Sequence, residues 1–159
     1  MKLAAAMFVA CCASTAAAAA TRLDDSASPR VRVDVSPRWL HTREGLTDPA
    51  QLNAMVADVR NLEVRLNTAA FVGKRGRIYL ALPAFTVGLQ SASGMRVEWQ
   101  TRGTLMAGSA LPGTRSVVYD GPIAKAFLAD FIDFSLFLDA RYLQGAVRFE
   151  PVFEIELAP

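Results

Sequence analysis

Side chains that do covalent or metal chemistry are scarce in this chain. His41 is the one histidine, and the two cysteines, Cys11 and Cys12, fall near the N-terminus. A Ser-His-Asp arrangement would have to use His41, and no Gly-x-Ser-x-Gly elbow leads into a helix. Trp39-Leu40 before His41 and Thr42-Arg43-Glu44-Gly45 after it have the composition of an exposed loop, so His41 reads as a surface residue. Transition metals want histidine and cysteine ligands, which leaves no metal, cofactor or catalytic residue to assign. Calcium wants clustered oxygens. Asp130, Asp133, Asp139, Glu150, Glu154 and Glu156 are numerous but alternate with apolar residues, the pattern of a solvent face on two strands. Nothing singles out two of them as a glycosidase pair. Gly73-Lys74-Arg75-Gly76 is too short for a P-loop, yet as a basic turn it can meet an anion or a phospholipid headgroup.

Binding chemistry rests on aromatic rings. Trp99 falls on the apolar side of its strand and reads as core. Trp39 follows Pro37-Arg38 in a loop, Tyr79 projects opposite Ile78 and Leu80, and Phe137 projects opposite Phe134 and Leu136. These three are the candidate ligand or partner contacts, with Tyr119 as a further aromatic for a small-ligand surface. Nucleic acid is not an expected partner, because 17 Lys+Arg against 15 Asp+Glu leave a charge of +2 and the arginines are interleaved with acids.

The elements that must position these groups belong to a chain of 159 residues, 52% hydrophobic, which is room for one domain with a core. Residues 1–20 read as a secretory signal peptide: Met1-Lys2 supplies the positive start, Leu3 to Ala10 a short apolar stretch, and Ala16 to Ala20 a small-residue cleavage site. Phe8-Val9-Ala10-Cys11 loosely resembles a bacterial lipoprotein cleavage box, so a minor alternative anchors the chain through Cys11. No stretch has the ~20 apolar residues of a membrane span, so no integral membrane segment is expected after signal removal. The 14 arginines against 3 lysines, with the alanine-rich leader, point to a bacterial protein of the periplasm or cell surface, held by its core without disulfides.

Residues 21–30 are polar and read as a flexible lead-in to a single domain over 31–159. Val31, Val33 and Val35 alternate as a strand. Asp48-Pro49 caps one short helix near 48–59, where Leu52, Met55, Val56 and Val59 follow helical spacing. Strand alternation then dominates: Leu62 to Leu66, a hairpin over Phe71 to Pro83 with Lys74-Arg75-Gly76 at its tip, Met95 to Thr101, Val117 to Tyr119, Ile132 to Leu138, and Val147 to Leu157. Ala124 to Asp130 reads as a helical turn. Pro151 lies within the last run, which places that strand at a sheet edge or on a bulge. Seven or eight strands with little helix predict a mainly β fold, an antiparallel immunoglobulin-like β-sandwich, with a β-barrel as the alternative.

The function expected from this pattern is that of an exported, non-enzymatic protein acting through protein contacts, as a surface-appendage subunit, assembly factor or adhesive module. Its partner would be another exported protein, or a second copy joined through an edge strand. The alternative is a periplasmic module binding carbohydrate or lipid.

Overall fold

The computed structural model describes residues 19–29 and 34–158. Residues 1–18 of the expected leader, and Val31 and Val33 of the expected first strand, lie outside the described residues. In chain order the strands are β1 (Thr21–Arg22), β2 (Asp34–Val35), β3 (Arg38–Trp39), β4 (Ala54–Asn67), β5 (Arg75–Ala81), β6 (Met95–Thr101), β7 (Gly108–Ala110), β8 (Arg115–Pro122), β9 (Phe127–Asp139), β10 (Val147–Arg148) and β11 (Val152–Leu157), with one helical turn, α1 (Pro49–Leu52). Sheet A has the order β1-β11-β5-β8 and sheet B the order β3-β4-β9-β6-β7, while β10 and β2 form a separate pair. All pairings are antiparallel.

The fold is a β-sandwich. Strand alternation turns Ile78, Leu80, Val118, Phe153 and Ile155 inward from sheet A, against Val59, Leu66, Val97, Trp99 and Phe134 from sheet B, in one hydrophobic cluster. The long strands β4, β5, β6, β8, β9 and β11 change sheet at every step, so each link between them crosses the sandwich at one of its ends. Loose lacing joins the two sheets along their sides. Met106 N–H donates to Val118 O at 2.7 Å on one side, and Leu23 N–H to Phe153 O and Asn67 N–H to Asp24 O, at 2.8 and 2.9 Å, on the other. The sheets stay distinct, and the sandwich is not a closed barrel.

Several local expectations are corrected. The helix near 48–59 is one turn. Asp48 Oδ1 accepts the Ala50 N–H at 2.9 Å and Pro49 opens the helix, but Asn53 closes it and β4 starts at Ala54. The helical spacing has a different origin: Met55, Ala57 and Val59 pack on the core at strand period, while Val56 is buried apart from that cluster. Further along β4 the register shifts between Val59 and Leu62, and Asn61 takes φ 57°, a region asparagine tolerates. Asp133 Oδ1 accepts the Asn61 N–H at 2.6 Å, and Arg102 bonds both Asn61 and Asp133, which clamps the bulge.

The lead-in at 21–30 begins as structure: β1 pairs Thr21 with Ile155 and Arg22 with Glu154, and Leu23 is buried. Phe71 to Pro83 is not a hairpin, because residues 68–74 carry the chain from sheet B to sheet A and β5 pairs with β11 and β8. The expected helical turn over 124–130 gives way to β9 from Phe127. The last strand is not at an edge. Pro151 precedes β11, which lies between β5 and β1, whereas Val147 belongs to β10. The sheet edges are instead mostly very short strands, a common protection against strand addition.

Asp130 departs most from its expected place on a solvent face. It is 4% exposed, on the inward side of β9 with Leu128 and Ile132. Its carboxylate accepts the N–H groups of Phe131 (2.7 Å), Leu105 (2.8 Å) and Arg102 (3.2 Å), so the turn after β6 is built around it. Gly103 passes so close that a Cβ there would lie 2.9 Å from that carboxylate.

Candidate functional site

The three aromatic residues expected to make contacts stand on different parts of the surface, and an arginine lies over each ring. Trp39, on the edge strand β3, has the Arg43 guanidinium 4.7 Å from its ring centre. Phe137, half-buried on the outer face of sheet B, has Arg96 at 4.6 Å, and Arg96 is itself paired with Glu98. Tyr79, half-buried on the outer face of sheet A, has Arg115 at 4.2 Å. Its hydroxyl donates to Glu156 at 2.9 Å, while Arg115 bridges Glu156 (2.7 Å) and Glu154 (3.6 Å). A guanidinium covers one face of each ring by cation–π stacking, and at Phe137 and Tyr79 that arginine is also ion-paired. Tyr119 is also engaged, donating to Pro122 O at 2.8 Å.

The acids on these outer faces are held by their neighbours. Arg115 first, and then the Tyr79 hydroxyl, keep the Glu156 carboxyl below the usual carboxylate range. The Ser135 hydroxyl, followed by Arg38 and Arg60, does the same for Asp58, and Arg141 for Asp139. These groups are anions at neutral pH; Glu156 and Asp58 link neighbouring strands of their sheets, and Asp139 caps the turn after β9 through Arg141. His41 lies exposed in the turn after β3. Among the described residues no group of three or more His, Cys, Asp or Glu could hold a metal ion, and no helix is long and apolar enough to cross a membrane.

A cleft lies elsewhere, at the end of sheet A where β5 finishes and β8 and β11 begin. Leu82, Met95 and Phe149 floor a cleft between the loop Pro83–Val87 and the segment Arg148–Glu150. It encloses about 60 Å3, well short of the ~300–1,000 Å3 of small-molecule sites. Arg148 and Glu150 face each other at 3.8 Å on its rim. Above it Phe85 is 77% exposed, and Val87 and Leu111 are also exposed.

This loop is pinned. Gln90 N–H donates to Tyr142 O (2.8 Å), Gln144 N–H to Gly88 O (2.9 Å) and Arg148 N–H to Val87 O (3.1 Å), and Leu89, buried, bridges to Leu143. Gly88 has φ 91°, and a Cβ on it would lie 2.3 Å from Ala146 O, so the close approach of the two crossover links requires glycine. On the other side Gly113 N–H donates to Leu82 O at 2.9 Å, which brings the turn carrying Leu111 against the same loop. Phe85 was not singled out from the sequence. The available signal was Pro83-Ala84-Phe85-Thr86-Val87-Gly88, an inter-strand segment with no charged residue and two large apolar ones.

With this geometry in view, comparison with protein-family models, with curated proteins and with solved structures finds no match to the chain.

Proposed function

We propose that the protein is an exported, non-catalytic interaction module that binds another exported protein through the Phe85 end of its sandwich. One observation carries this reading: a large aromatic side chain, 77% exposed, stands beside a small apolar cleft on a loop whose two flanks, Leu82 and Val87 to Gln90, are tied by main-chain hydrogen bonds. A backbone tethered on both flanks has less entropy to lose on binding, and aromatic anchors dominate protein interfaces. The cleft suits one aliphatic side chain of a partner, which favours a protein over a free sugar or lipid. Export is supported by the composition of residues 1–20. Self-association by addition to the final strand loses its basis, since β11 has a neighbour on each side.

The test is a photo-crosslinking amino acid at Val87 in cells producing the full chain, with the same group at Glu98 as control. A specific adduct is expected at position 87, in the periplasmic fraction, on a chain beginning at Thr21. Phe85→Asp should abolish it while the melting temperature stays unchanged, because an exposed side chain contributes within about 0.5 kcal/mol to stability. An adduct that survives Phe85→Asp, equal labelling from both positions, or product confined to cytosolic chain with residues 1–20 intact would overturn the reading.

A further inference from the structure

Between Thr21 and Pro159 the chain has no cysteine, so its sulfur there is confined to three thioethers, Met55, Met95 and Met106. A thioether reacts with a peroxide only where its sulfur can be reached, so burial sorts the three. Met95, at the start of β6, is 3% exposed and belongs to the core. Met55 is half-buried and packs on the core from the start of β4, opposite Leu138. Met106 is 44% exposed.

The backbone fixes that exposure. Asp130 Oδ2 accepts the Leu105 N–H at 2.8 Å, and the Leu105 side chain is buried. Both main-chain groups of the next residue are engaged as well. Met106 N–H donates to Val118 O at 2.7 Å across the side of the sandwich, and Met106 O accepts the Trp99 Nε1–H at 3.0 Å. Trp99 is 1% exposed, so its indole depends on that carbonyl. The space beneath the turn is filled by the same ring: a Cβ on Gly108 would lie 3.0 Å from it. Met106 is thus held from β6 on one side and β8 on the other, with its thioether left in water.

We infer that Met106 is an oxidant-accepting site, a methionine that takes an oxygen atom from a peroxide while the sandwich stays folded. The sulfur lone pair attacks one oxygen of hydrogen peroxide, the O–O bond breaks and an S–O bond forms. The second oxygen leaves as water, so the thioether is oxidised by two electrons to the sulfoxide and the peroxide is reduced. At Met106 the new polar oxygen joins a side chain that is already solvated, and the fold tolerates it. The same oxygen on Met95 would put an unpaired dipole in the core.

The experiment is a time course of the purified, folded protein in hydrogen peroxide, with peptide mass spectrometry reading the one-oxygen adduct at each of the three methionines. Met106 should react first, Met55 second and Met95 last. Met95 should lag Met106 by on the order of 100-fold or more, because it waits for the fold to open. In urea above the unfolding transition the three rates should converge. The singly oxidised protein should keep the melting temperature of the unmodified one. Met106→Leu, which conserves volume, should remove the fast adduct and also leave the melting temperature unchanged. Oxidation of Met55 or Met95 as fast as Met106 in the folded protein, or unfolding on the first oxygen at Met106, would overturn the proposal.

Discussion

Replacing Phe134 by alanine is expected to lower the unfolding free energy by about 3–5 kcal/mol, the usual range for emptying a fully packed aromatic site. Phe134 is 0% exposed at the centre of β9, with Val59 and Trp99 as its cross-strand partners. Its ring lies 6.4 Å from that of Trp99 and 4.9 Å, edge-on, from that of Phe149, so the cavity would open between the sheets where neither backbone can collapse into it. Phe149→Ala is the comparison. Phe149 is half-buried in the segment between β10 and β11 and floors an open cleft, where water can fill the space, so its loss should cost about 1–2 kcal/mol. Urea denaturation midpoints measure both. A larger cost at Phe149 than at Phe134 would mean that the inward face of β9 is wrongly assigned.

Asp130→Ala is expected to cost about 3 kcal/mol, a large effect for a carboxylate that faces no cation within ion-pair distance among the described residues. Three main-chain N–H groups converge on it. Arg102 N–H has a second acceptor in Phe131 O at 3.1 Å, but Leu105 N–H has only the Asp130 carboxylate, in a buried position. Alanine leaves that donor dry and unpaired, with a void beside Gly103. Asp130→Asn should recover part of the loss, because its amide oxygen can accept one N–H while its NH2 group faces another donor. Equilibrium unfolding reads the difference, and a stability within 0.5 kcal/mol of the wild type in Asp130→Ala would contradict the buried hydrogen-bonded site.

The same residues show what was legible in advance and what was not. β6 alternates cleanly between apolar and polar side chains, and the second half of β9 does so except at the outward Phe137, so period 2 identifies such runs directly. The first half of β9 failed that reading because Asp130 occupies an inward position and Phe127 and Phe131 occupy outward ones. Local pattern took the aspartate as exposed, whereas a turn distant in sequence supplies the N–H groups that make its burial affordable. β4 was obscured by two features together. Val56 is buried on the face away from the core, which imitates helical spacing with Leu52 and Met55, and the bulge at Asn61 interrupts the alternation before Leu62 restarts it. Whether β11 is an edge depends on Thr21–Arg22, more than 100 residues earlier, and no local signal contains that pairing. The candidate contact rings were correctly seen to face outward. Their capping by Arg43, Arg96 and Arg115 was not visible, because Arg96 and Arg115 come from neighbouring strands.

Phe85 was passed over because loops are expected to be polar, and its exposure is decided by contacts that pin the loop from residues 113 and 142–148. Those contacts tether the backbone on either side of Phe85.

Amide hydrogen exchange on the isolated protein is the most direct check on the fixed loop that underlies the protein-contact reading. The N–H groups of Gln90, Gln144 and Arg148, which tie the Phe85 loop to the 140–148 link, should exchange orders of magnitude more slowly than in an unstructured chain, close to the amides of β6. Exchange of these three at unstructured rates, while β6 stays protected, would mean that the aromatic ring is not held for a partner.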